Sequence, residues 1–156
     1  MPGFLGEYEV TLDAKGRFML PVGFKRQLGE GESLRFVLSR GFEKCLTLYT
    51  EAQWEKVASV VRQLNEFNPK ARAFKRVFLN GATFVEPDAA GRLLVGKPMI
   101  EYAGLSKDVV FSAQMDKAEI WDAATFRRET SMDAADLSDL ANEVLGSDFL
   151  NPFQGQ

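Results

Sequence analysis

The chain has 156 residues, 46% of them hydrophobic; it holds enough apolar material for a buried core, and too much for a disordered chain. Its net charge is −3, with no histidine and one cysteine, Cys45, which leaves no Ser-His-Asp or Cys-His nucleophile, no intrachain disulfide and no thiol-imidazole zinc set. There is no apolar run of membrane-spanning length and no basic, then apolar, leader at the N-terminus, so a soluble intracellular protein is expected, neither an enzyme nor a cofactor carrier.

In chain order, Tyr8, Val10 and Leu12 alternate with polar neighbours and predict a strand. Asp13-Ala14-Lys15-Gly16-Arg17 reads as a tight turn into Phe18-Met19-Leu20, the two runs together a β-hairpin. Gly16 tolerates the positive φ such a turn needs, and Asp13 can bond its own backbone two residues on. Pro21 then opens a helix of about two turns through Phe24 and Leu28, with Gly29 as its left-handed cap. Ser33–Leu38 and Cys45–Tyr49 are predicted strands around the loop Arg40-Gly41-Phe42-Glu43-Lys44. Thr50-x-x-Gln53 is a capping-box pattern, and Trp54, Val57, Val61 and Leu64 share one helical face, read as core or protomer interface. After Asn68-Pro69, residues 70–79 form a second helix, with Phe74, Val77 and Phe78 on its apolar side and Lys70, Arg72, Lys75 and Arg76 on the rest. That basic cluster is first of all a solvated helix face, and secondarily a phosphate-contacting one.

The pattern then repeats. Asp88-Ala89-Ala90-Gly91-Arg92 restores the Asp-x-x-Gly-Arg frame 75 positions after the first copy, between Phe84-Val85 and Leu93-Leu94-Val95. Pro98 and Gly104 bound a short helix, Val109–Phe111 and Glu119–Trp121 are strands, and Asp122 is a cap. Trp121 and Phe126 match Tyr49 and Trp54 at an offset of 72, so the second copy is three residues shorter, most simply in the loops between its later strands. Residues 136–145 are predicted to form a last helix through Leu137, Leu140 and Val144, and 151–156 to fray. Each copy is near the lower size limit for folding alone, so the two are expected to share one core.

The charge is uneven. Residues 1–75 carry 12 Lys and Arg against 9 Asp and Glu, whereas residues 76–156 carry 7 against 13. Such an arrangement suits a cationic face on an acidic protein, or an acidic C-terminal half that docks a basic partner. Turn chemistry explains Asp and Gly in both motifs but not Arg17 and Arg92. Each arginine either braces its turn's aspartate or meets a phosphate or guanine edge. Asp13 and Asp88 as a hydrolytic carboxylate pair rank lowest, since no nucleophile accompanies them. Cys45 lies in an apolar strand and reads as a small buried hydrophobe.

Gly6-Glu7-Tyr8, Leu12 to Arg17, Leu20-Pro21, Arg40 to Leu46 and Asp88 to Arg92 together resemble the MraZ family, over roughly residues 6–130. The specificity lies in the doubled frame; one copy alone would be weak. The resemblance implies an α+β fold, a pseudo-two-fold swapped-hairpin β-barrel of the AbrB-like kind built from two tandem repeats with flanking helices. Its parts would be a first repeat at 6–55, linking helices at 56–80, a second repeat at 81–127 and a C-terminal helix and tail at 128–156. It also implies a transcriptional regulator, cytoplasmic and nucleoid-associated, that binds double-stranded DNA at tandem promoter repeats of its own division and cell-wall gene cluster as a ring-shaped homo-oligomer. DNA contact then falls on Lys15, Arg17 and Arg92, with Asp13, Gly16, Asp88 and Gly91 forming the turns. No catalytic residue, metal or cofactor is implied. Ala90 stands where the first copy has Lys15, and Gly96 where it has Pro21, so the first motif is expected to dominate.

Overall fold

A computed structural model describes residues 3–146; the stretch expected to fray, 151–156, lies outside the described residues. The chain divides into two compact units, Met1–Phe126 and Arg127–Gln156. The elements in order are β1 (Phe4–Thr11), β2 (Arg17–Met19), α1 (Val22–Lys25), β3 (Phe36–Arg40), β4 (Leu46–Thr50), α2 (Glu51–Arg62), α3 (Pro69–Leu79), β5 (Thr83–Val85), β6 (Arg92–Leu94), α4 (Lys97–Ala103), β7 (Asp108–Met115), β8 (Ala118–Asp122), α5 (Ala123–Thr130) and α6 (Ala134–Leu145).

The fold is α+β with antiparallel strand pairing throughout. Six strands form one sheet in the order β1-β7-β8-β4-β3-β5, and β2 and β6 form a separate two-stranded ribbon. The six-stranded ladder does not close on itself: β1 and β5 are its edges. The edge at β1 is covered locally by one side chain. Gln27 accepts from the Leu5 N–H at 3.0 Å and donates to the Leu5 carbonyl at 2.6 Å, occupying backbone groups that an edge strand leaves open.

The expected hairpins are not hairpins. The Asp13–Arg17 turn reverses the chain, but β1 pairs with β7 and β2 with β6. The second copy does the same, with β5 on β3 and β6 on β2. Each repeat thus gives its first two strands to the other. Period-2 alternation fixes which face of a strand is apolar and says nothing about which strand lies beside it.

Strand register obeys the internal two-fold. Val10 pairs with Val109, and in the other copy Phe36 pairs with Val85. Two pairs, Phe18–Leu93 and Thr47–Glu119, couple a position to its own repeat-mate, so the pseudo-axis passes through both. The three missing residues can now be placed. Two are lost between Gly104 and Val109, relative to Gly29 and Phe36, and one in the hairpin Val109–Asp122, relative to Phe36–Thr50.

The core gathers on β3, β4, β7 and β8, with Phe18 and Leu93 of the ribbon and Phe24 of α1 packed into it. Phe18, Phe24, Phe36, Leu38, Leu46, Leu48, Leu93, Val95, Phe111 and Ile120 form one buried cluster, with the Phe24 ring centred 4.9 Å from that of Phe111. A smaller cluster joins Cys45, Val110, Trp121, Ala123 and Phe126. Burial pushes the Cys45 thiol up to about 12, so it is an inert apolar filler at neutral pH.

Among the helices, α1 is shorter than predicted. It spans four residues, ends at Arg26, and leaves Gly29 outside the left-handed region, while α4 does end on a left-handed Gly104 at φ 62°. Thr50 caps α2 by accepting from the Gln53 N–H at 3.2 Å, and Asn68 caps α3 by accepting from the Lys70 N–H at 2.9 Å. The Trp54–Leu64 face is half-buried. Val57, Val61 and Leu64 line an open apolar hollow of about 280 Å³ with Phe42, Phe74 and Phe78, whose three rings lie within 9° of parallel. In the second unit, α6 is capped by Asp133, and Leu137, Leu140 and Val144 are all exposed.

Candidate nucleic-acid interface

Both motif turns have one geometry. In the first, Asp13 Oδ1 accepts from the N–H groups of Lys15 and Arg17, each at 2.9 Å, and Oδ2 accepts from Arg17 Nε at 2.9 Å. In the second, Asp88 Oδ1 accepts from Ala90 at 3.0 Å and Arg92 at 2.9 Å, and Oδ2 from Arg92 Nε at 2.9 Å. The backbone closes each turn through Gly16 N–H to Asp13 O and Gly91 N–H to Asp88 O. Three donors favour the charged carboxylate. The backbone N–H of Arg17 is the largest influence lowering the Asp13 pKa, and that of Arg92 does the same for Asp88. Carboxylates held this way suit a turn lock and not a general acid.

The glycines carry a second duty that no sequence pattern announces. Gly16 and Gly91 sit at φ +82° and +87°, and their carbonyls leave the turn. Val95 N–H donates to Gly16 O at 2.7 Å, and Leu20 N–H donates to Gly91 O at 3.0 Å. Each turn is therefore tied to the strand that follows the other turn.

Both readings of the arginines turn out to be compatible. The brace exists, but it uses only Nε; among the described residues neither Nη of Arg17 or Arg92 has an acceptor. Their side chains are 26% and 34% exposed. In the β2–β6 ribbon, Phe18 and Leu93 point into the core, while Arg17, Met19, Arg92 and Leu94 take the other face. Arg17 stands opposite Leu94 and Arg92 opposite Met19, so the two guanidinium groups lie diagonally across one exposed patch. Lys15 is exposed at the tip of its turn; Ala90 holds that place in the other.

Beside the second turn is a cleft of about 360 Å³ lined by Lys25, Ser33, Leu34, Arg35, Glu86 and the turn itself. Arg35 is engaged there by Glu51 at 3.6 Å and Glu86 at 3.8 Å, and lies 3.8 Å over the Phe84 ring. The basic cluster of α3 is partly committed as well: Lys75 is paired with Glu66, and Arg72 Nη1 donates to the Glu66 carbonyl at 2.8 Å. Among the described residues no helix is long and apolar enough to cross a membrane.

Comparison with known proteins agrees with the doubled architecture. Residues 4–77 and 78–147 each match the family described as "MraZ protein, putative antitoxin-like", with one motif turn in each match. The transcriptional regulator MraZ of Cytophaga hutchinsonii is 38% identical over 142 residues, covering 91% of this chain and 94% of that protein. That of Christiangramia forsetii is 38% identical over 149 residues, 95% of this chain and 96% of its own. That of Bifidobacterium longum is 38% identical over 144 residues, 92% and 93%.

Proposed function

This chain belongs to the MraZ family, and we propose that it is a DNA-binding transcriptional regulator whose contact surface is the β2–β6 ribbon with its two turns. The observation that carries the reading is the pair of braced arginines, their Nη groups without an acceptor among the described residues, on one face of a two-stranded ribbon. The B-DNA major groove admits such a ribbon, and an arginine fork matches the O6 and N7 of guanine or a phosphate. Lys15 adds a positive charge at the ribbon's end. A brace through Nε fixes the direction of the fork before binding, which reduces the entropy lost on association.

A single protomer would grip weakly, because affinity grows with the number of phosphates neutralised. Several ribbons on a ring-shaped homo-oligomer would bind tandem promoter repeats far more tightly, each further engagement being intramolecular. The cluster regulated would be its own division and cell-wall operon, on the nucleoid in the cytoplasm. The exchanged strands and the on-axis pair Phe18–Leu93 support a swapped-hairpin barrel in which the ribbon acts as the closing stave. A second reading, docking of a basic protein on the acidic C-terminal half, is favoured by the exposed Leu137, Leu140 and Val144 among Asp133, Asp136, Asp139 and Glu143.

The test is a gel-shift titration on the DNA upstream of the gene. Arg17→Ala is expected to lose binding with its mass in light scattering unchanged. Full binding by that variant rejects the ribbon as the contact surface, and dependence on residues 133–146 in place of it selects the second reading.

A further inference from the structure

The two turns are unequal in sequence, since Lys15 has no partner at Ala90. The structure supplies a different cation at the second turn. Lys25, the last residue of α1, is exposed and lines the same cleft as Asp88, Ala89 and Gly91. No ion pair holds its ammonium among the described residues. The neighbouring charges are already matched: Arg35 by Glu51 and Glu86, and Asp88 by Arg92. Of the charged residues lining the cleft, Lys25 is thus the one without an ion pair among the described residues.

Its repeat-mate, 75 positions on, is Ile100, and that residue stands beside the first turn. The Ile100 Cδ1 lies 3.2 Å from where a Cβ on Gly16 would be. Lysine in the turn with an apolar helix neighbour in one copy becomes alanine in the turn with a lysine on the helix in the other. Because the repeats exchange strands, the helix beside each turn comes from the opposite repeat.

We propose that Lys25 is a DNA-phosphate contact that serves the second turn as Lys15 serves the first, so that each turn presents one arginine and one lysine to the duplex. The proposal rests on the DNA-binding reading above. It replaces the expectation of a dominant first motif with two turns of similar strength. An ammonium on a flexible stem recognises phosphate as a point charge and carries no base preference.

The experiment is fluorescence anisotropy of the full chain on two labelled duplexes, the DNA upstream of its gene and a scrambled one of equal length, across a salt series. Lys25→Ala should weaken binding to both by a similar factor, about 5-fold at low salt, and lower the slope of log K against log[salt] by about 1 for each phosphate left unneutralised. Ala90→Lys in the Lys25→Ala background should restore both quantities. Lys56→Ala, an exposed lysine on α2, serves as the charge control. If Arg17→Ala and Arg92→Ala lose binding while Lys25→Ala matches Lys56→Ala, this inference is overturned and the DNA-binding reading stands. If neither duplex binds the unaltered protein, both fall. A loss confined to the upstream duplex also overturns it, since that would mean base reading.

Discussion

Asp13 and Asp88 each collect three donors, and the sign of the resulting pH effect follows from the lowered pKa values. A carboxylate whose folded value lies below its ordinary 3.8 contributes stability that is fully present above that value. The contribution is lost as pH falls through the lower, folded value. The turns therefore stay locked at neutral pH and release in strong acid. Asp13→Asn combined with Asp88→Asn should weaken DNA binding at pH 7 and flatten the acid limb of the melting curve, with helix content by circular dichroism unchanged. The two glycines are predicted to differ. Alanine at either meets the left-handed penalty of about 1–2 kcal/mol. At Gly16 its Cβ would also stand 2.7 Å from the Val95 carbonyl oxygen, whereas at Gly91 the nearest atom is Met19 Cε at 3.5 Å. Urea titration should accordingly rank Gly16→Ala as the more destabilising.

At the scale of elements, the β2–β6 ribbon hangs on two side chains. Phe18 and Leu93 are 2% and 1% exposed and face each other on the pseudo-axis. Truncating Phe18 to alanine removes a buried ring, and is expected to cost about 3–5 kcal/mol in chemical unfolding. Phe42→Ala, at 77% exposure, should cost far less. Thr50→Ala removes the cap of α2 and should cost about 1 kcal/mol. The helices α2, α3 and α6 are readable from caps and apolar spacing, as are the turn positions, because those signals are local. Strand partners are not. Nothing in Tyr8-Glu9-Val10 states that Val109 rather than Phe18 is the neighbour, since pairing is decided by the packing of Phe24, Phe36 and Phe111 far along the chain. Gly29 has the character of a helix terminator and so makes α1 look longer than it is, yet the chain leaves the helix at Arg26. Of the candidate site, Lys15, Arg17 and Arg92 are legible through the repeat itself. That Arg17 and Arg92 share one face of the ribbon, and that Lys25 stands beside the second turn, depends on the exchange of strands, which no single segment encodes.

At the scale of the whole molecule, neither repeat holds a complete sheet. β1 has its ladder partner in β7, β5 has its partner in β3, and the ribbon takes one strand from each repeat. Residues 1–80 alone are expected to lack a cooperative melting transition, as are residues 81–146. Mixing the two fragments should restore one, together with duplex binding, in a complementation experiment followed by circular dichroism and anisotropy. Recovery of binding by residues 1–80 alone would contradict the exchange.

The ties from Leu20 to Gly91 and from Val95 to Gly16 also set an order in time. While the ribosome is still adding residues before position 95, the first turn lacks its tie to the second repeat, although the brace of Asp13 on Arg17 is already local to it. A product truncated before that position is therefore expected to hold its first turn less firmly than the full chain does.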